Sequence, residues 1–235
     1  MLRLPRIIGH RGIMGYSSFF PENTTQIIEL AHRVGFTGVE FDVQMTKDKK
    51  LIVYHDETLD SLSDGSGFVY DCCFGDIMKH KLNYVLSEQT YHIPSFSDIM
   101  KTIDKLNLFA NIEIKSYYTD TTYNSEMVDC LMKEILSNYQ HRMSRMLFST
   151  FSPTIIDLLD DYRKKYGIHY APIDYYPISK ISPSALVYNF TYFNSHRLNY
   201  LKQLNYPLIA YNVINKSQAD RIFKLGINSV IMDKI

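Results

Sequence analysis

Short apolar runs alternate with longer stretches of helical period along almost the whole chain. Runs at residues 7–8, 38–43, 109–114, 146–149, 168–173, 186–190, 207–213 and 229–232 read as strands. Between most of them lie amphipathic stretches. The first, 23–34, carries Ile27, Ile28, Leu30, Ala31 and Val34 on one face, with Asn23 or Thr24 as N-cap after Pro21. Others run over about 95–106, 124–139, 153–166, 195–205 and 217–225, whereas the link after Ile173 does not read as a helix. Eight strands in βα alternation predict an α/β fold, a TIM-type (β/α)8 barrel formed by residues 1–235 as one domain. A doubly wound open sheet is the alternative.

One segment breaks the alternation. After Asp42 the chain runs through Val43 to Thr46, turns over residues 47–50 and resumes as Leu51-Ile52-Val53-Tyr54-His55. That is too short for a crossover helix, so an antiparallel hairpin is expected. A turn centred near Asp48 brings His55 opposite Phe41 or Asp42. Residues from 56 to about 92, with Gly65, Gly67 and Gly75, then form a small insertion over the rim that carries the strand ends. The sequence stops at the eighth strand, so the last barrel helix is expected to be absent. The outer face of residues 229–232 would then be covered by neighbouring helices, by residues 1–5, or by a second subunit in a homodimer.

The chemistry concentrates where strands end. Gly9-His10-Arg11-Gly12, Glu40-Phe41-Asp42, His55-Asp56 and Asn111-Ile112-Glu113-Ile114-Lys115 each follow or interrupt an apolar run. Strand alternation puts Glu40 and Asp42 on one face, and Asn111, Glu113 and Lys115 on another. Convergent carboxylates repel one another unless a cation joins them, and Mg2+ or Ca2+ suits an all-oxygen set. Structural ion pairs of Glu40 and Glu113 with Arg11 and Lys115 are the competing account. Two imidazoles, His10 and His55, can supply a base and an acid, and Arg11 suits bidentate phosphate binding. The other six histidines lack such company and read as structural or exposed.

Composition removes whole classes of function. Lys plus Arg and Asp plus Glu balance at 25 each, and no basic tract occurs, so a nucleic-acid binder is not expected. Three cysteines, Cys72, Cys73 and Cys130, have no zinc spacing and read as reduced thiols in a cytoplasmic protein. No stretch approaches the ~18 apolar residues of a transmembrane segment, and the first strand begins too early for a secretory leader.

The motifs H-R-G, P-E-N-T, E-x-D-V-x-x-T-K-D, H-D-x-T-L and N-I-E-x-K follow one another here. They are His10-Arg11-Gly12, Pro21 to Thr24, Glu40 to Val43 with Thr46-Lys47-Asp48, His55 to Leu59, and Asn111 to Lys115. In this order they resemble the glycerophosphodiester phosphodiesterase family, with weaker echoes at 93–96, 149–151 and 226–233. The resemblance implies a TIM-type barrel, a divalent cation, and hydrolysis of small-molecule glycerophosphodiesters to glycerol 3-phosphate and an alcohol. It implies Glu40, Asp42 and Glu113 as metal ligands, His10 and His55 as the acid/base pair, and Arg11 and Lys115 as phosphate contacts. Departures are Ser61 where the family has arginine, Lys49 for glycine, Tyr211 for tryptophan and Lys234 for proline. Two other functions compete: a lysophospholipase D-like phosphodiesterase on lipids, and a non-catalytic barrel used as a binding module.

Overall fold

Successive strand residues face opposite ways, and in this protein each face has its own destination. The computed structural model describes residues 2–84, 89–117, 120–175, 178–192 and 194–235. Residues 85–88 of the expected insertion and Met1 lie outside that set. Among the described residues nine strands form one sheet: β1 (Ile7–Gly9), β2 (Gly38–Met45), β3 (Leu51–Val53), β4 (Phe109–Ile114), β5 (Met146–Thr150), β6 (Tyr170–Pro172), β7 (Leu186–Asn189), β8 (Leu208–Val213) and β9 (Ser229–Met232). The parallel order β6-β5-β4-β2-β1-β9-β8-β7 is closed by a parallel bridge between Ile173 and Val187, which gives the expected TIM-type barrel.

The short strand β3 stands off this ring, paired antiparallel with β2 at Val43–Val53, Gln44–Ile52 and Met45–Leu51. That register is the expected one, and the Tyr54 N–H donates to the Asp42 carbonyl at 3.0 Å. His55 is thereby brought back beside the end of β2. Lys49, where the family has glycine, occupies the turn with φ +60°, the region glycine enters most cheaply.

Seven helices are α1 (Thr25–Arg33), α2 (Phe74–Ile77), α3 (Phe96–Lys105), α4 (Thr121–Asn138), α5 (Pro153–Tyr166), α6 (Ser195–Gln203) and α7 (Lys216–Lys224) among the described residues. Thr24 caps α1, accepting from the Ile27 N–H, and Ser95 caps α3. The helix expected from residue 124 starts at Thr121, because Asp120 accepts from the N–H groups of Thr122 and Tyr123. Among the described residues between β6 and β7 there is only a 3-10 turn, Ile178–Lys180, as the weak periodicity implied.

Outward strand residues such as Val39, Phe41, Val43, Ile112 and Phe148 join the helix faces in one large core. Inward residues Ile8, Phe109, Leu147, Val187, Ile209 and Ile231 fill the barrel, with Leu2 and Leu4 packed against them. The insertion has its own small core around Ile52, Tyr54, Leu59, Val69, Ile77 and Ile93. The outer face of β9 is not open. Val230 and Met232 are fully buried in the outer core that also holds Ile13, Ala219 and Ile222, and the turn after β1 lies against the end of β9, with the Gly15 N–H donating to the Asp233 carbonyl at 2.9 Å. Of the three expected covers, the chain's own neighbouring elements do the work. Residues 2 and 4 instead pack inside the barrel, and a second subunit is not needed at this strand.

Candidate active site

The inward positions change character toward the C-terminal ends of the first strands. Ile8 is followed on its face by His10, Phe109 by Asn111 and Glu113, and Glu40 by Asp42. Parallel pairing sets Asp42 directly beside Glu113 and Glu40 beside Asn111. Oxygens of Glu40, Asp42 and Glu113 lie within 4.8 Å of one another. The C-terminal mouth of a barrel is where side chains from separate strands converge.

The turn after β1 is shaped for its task. A Cβ on Gly9 would lie 1.9 Å from the Gly12 carbonyl oxygen, and one on Gly12, at φ +90°, would lie 2.5 Å from Ile27 Cγ2. This tight turn directs the Arg11 N–H to Glu40 Oε2 at 2.9 Å. The Arg11 guanidinium is not at the surface as an ordinary ion pair would be. Its Nη1 donates to Glu22 Oε1 at 2.8 Å and its Nε lies 3.6 Å from Asp42. Asn23, also at positive φ, donates its side-chain amide to Asp42 Oδ2 at 2.8 Å.

Lys115 reaches back over the same cluster, donating to Glu113 at 2.8 Å and lying 3.5 Å from Asp42. The ion pair considered as the alternative for Glu113 therefore exists, but it leaves Glu40 unanswered. Glu40 Oε1 is buried with no hydrogen-bond partner, which is costly for a carboxylate. Burial and the nearby Asp42 charge push the Glu40 carboxyl upward, and the same two causes push Glu113 up. Asp42 goes the other way: burial opposes its charge, but Lys115, His55, Arg11 and Asn23 together hold its pKa down. An oxygen-seeking cation beside these three carboxylates would occupy the orphaned Glu40 oxygen and relieve the repulsion. The donor set fits such an ion.

Each histidine is oriented by a carboxylate. His10 Nδ1 sits 2.8 Å from Asp233 Oδ1, and His55 Nδ1 sits 2.5 Å from Asp56 Oδ1. A carboxylate on Nδ1 fixes the ring and leaves Nε2 for other work. Burial disfavours charge on His10, but the Asp233 hydrogen bond and the Glu40 charge outweigh it and raise its pKa. Tyr117 donates its hydroxyl to the His55 carbonyl at 2.6 Å.

All seven residues expected from the sequence are gathered at this rim. Asp233, Glu22, Asn23, Asp56 and Tyr117 were not expected to contribute. Asp56 and the Pro21 to Thr24 motif stood in plain view, and Asp233 ends the weaker echo at 226–233. A family model described as the glycerophosphoryl diester phosphodiesterase family matches residues 10–235.

The chain belongs to this family. It is 28% identical to the glycerophosphodiester phosphodiesterase of Caldanaerobacter subterraneus subsp. tengcongensis, over 97% of this chain and 93% of that protein. The putative glycerophosphodiester phosphodiesterase YhdW of Bacillus subtilis is 26% identical over 97% and 93% of the two chains. Among solved structures, an Oleispira antarctica phosphodiesterase in complex with the product sn-glycerol-3-phosphate shares the fold at TM-score 0.84, with 20% identity over 98% of this chain and 93% of that one. A Parabacteroides distasonis glycerophosphodiester phosphodiesterase does so at TM-score 0.82, with 19% identity over 97% and 92%.

Proposed function

We propose that this protein hydrolyses small glycerophosphodiesters to glycerol 3-phosphate and an alcohol, with Mg2+ or Ca2+ held by Glu40, Asp42 and Glu113. The observation that carries the reading is the meeting of three clustered carboxylates, Glu40 and Asp42 buried and Glu113 partly so, with two carboxylate-oriented histidines on one barrel rim. When bound, the cation polarises the phosphoryl oxygens and neutralises the carboxylate charge. Arg11 and Lys115, both partly buried cations, balance the acidic cluster and stand ready for the diester's phosphate charge.

His10 and His55 act as the acid/base pair. One accepts the proton of the attacking hydroxyl and the other protonates the departing alkoxide. Attack by the glycerol 2-hydroxyl, with a cyclic phosphate opened later by water, and direct attack by water make the same demand on the pair. Asp233 and Asp56 hold the two rings so that Nε2 faces the reaction. A cytoplasmic location belongs to the same reading, supported by three unpaired cysteines; no helix among the described residues is long and apolar enough to cross a membrane.

The test is an assay of purified protein, supplemented with Mg2+ or Ca2+, across glycerophosphodiesters with lysophosphatidylcholine alongside. Release of glycerol 3-phosphate, abolished by a chelator and restored by the cation, is expected. Full turnover in protein shown by elemental analysis to be metal-free would overturn the metal assignment.

A further inference from the structure

Beside the carboxylate cluster the hairpin, the insertion and residues 17–23 border a half-open cavity of about 410 Å³. His55, Glu22 and Asn23 form its wall toward the cluster, and Asn23 is the residue that donates to Asp42. Its apolar and aromatic lining consists of Pro21, Val53, Tyr54, Leu62, Leu82, Tyr84 and Pro94. The polar residues Ser17, Ser18 and Asn83 that also line it are exposed, whereas Val53 and Tyr54 are buried. Among the described residues no lysine or arginine lines the cavity, and its carboxylate, Glu22, is already engaged by Arg11.

A phosphodiester at the cluster has two substituents. The glyceryl group carries two hydroxyls, which the walls formed by Val53, Leu62, Leu82 and Pro94 would strand without partners. The other substituent, the alcohol, has no such requirement. We propose that this cavity receives the alcohol substituent and selects diesters whose alcohol has a hydrocarbon body, an inference that rests on the phosphodiesterase reading above. At about 30 Å³ per water-sized group, the volume accommodates on the order of a dozen non-hydrogen atoms. Anionic alcohols are disfavoured, since no cation would meet them there.

The test is calorimetric binding of glycerophosphoethanol, glycerophosphobutanol, glycerophosphohexanol and glycerophosphoglycerol to the His10→Ala variant, with cation present, and turnover of the same series by the wild type. Burying a methylene is worth roughly a fourfold gain in affinity. Kd should therefore fall by about that factor per added carbon, and KM with it, while kcat changes little. Leu82→Asn should flatten the slope. Ser18→Trp, at an exposed position on the cavity lining, should curtail the gain for the hexyl member and needs no change in the insertion core. A flat series, tightest binding of glycerophosphoglycerol, or slopes untouched by both variants would overturn the inference. So would tighter binding of lysophosphatidylcholine, whose chain lies on the glyceryl side, than of glycerophosphohexanol. Binding that keeps its slope in a protein that turns over no diester would sink the catalytic reading while sustaining the cavity's role.

Discussion

At the scale of single residues, the site is organised by charge partners that lie both near and far in sequence. His10 meets Asp233 across the seam where β1 pairs with β9, while His55 uses its immediate neighbour Asp56. Replacing His10 or His55 by alanine should cut turnover by roughly 10²–10⁴-fold each, the usual worth of a positioned acid or base. The double variant should lose less than the product, because both residues serve one proton-transfer cycle. Steady-state kinetics decide this, and near-normal turnover in either single variant would remove that residue from the mechanism. Glu113→Gln keeps shape and removes one charge from the cluster. It should weaken cation binding, read by calorimetry, with the thermal midpoint little changed, because Glu113 is pushed up by burial and Asp42 in the cation-free protein.

Elements are joined by a few contacts that can be tested in isolation. In the turn between β1 and α1 an alanine at Gly9 would meet backbone, whereas one at Gly12 would meet the Ile27 side chain. Gly9→Ala should therefore destabilise more than Gly12→Ala, with both costing more than the ~1–3 kcal/mol of a simple overpacked site once φ at Gly12 is counted. Thermal melts of the two variants check the order. On the far side, Asp160 of α5 accepts from the Tyr170 hydroxyl of β6 at 2.6 Å and from the Ser182 N–H at 3.2 Å. Burial opposes its charge, but these donors and Lys164 outweigh that and hold its pKa below the ordinary value. A carboxyl depressed in the folded state adds stability above its unfolded pKa and loses it as pH falls through the folded one. Asp160→Asn should accordingly cost about 1–3 kcal/mol near neutral pH, and the deficit should shrink below about pH 4. Urea unfolding at pH 7 and pH 3 measures both.

For the molecule as a whole, one chain supplies every residue of the candidate site and covers the outer face of its own last strand. Val230 and Met232 are fully buried without a partner chain. Specific activity should therefore be the same from nanomolar to micromolar protein, with light scattering run in parallel. A fall on dilution would show that a second subunit contributes. Val230→Asp should prevent folding, since it would strand a charge in the outer core.

The amino-acid sequence by itself determined the alternation of elements, the hairpin register and the seven residues at the strand ends. These are local properties: period, turn length, and which face each strand residue takes. Even the return of His55 to the end of β2 followed from counting residues across one short turn. What only the tertiary structure decided were relations closed over long distances. Asp233 reaches His10 because β9 pairs with β1, 223 positions apart, and no period in the chain encodes that neighbour. Burial of Val230 likewise depended on how the turn after β1 and α7 settle around β9. The pocket beside His55 arises where the insertion and residues 17–23 meet the hairpin, and its described walls come from five separate stretches of chain. Side-chain pattern dictates faces, whereas the choice of what meets each face is made only when the barrel closes.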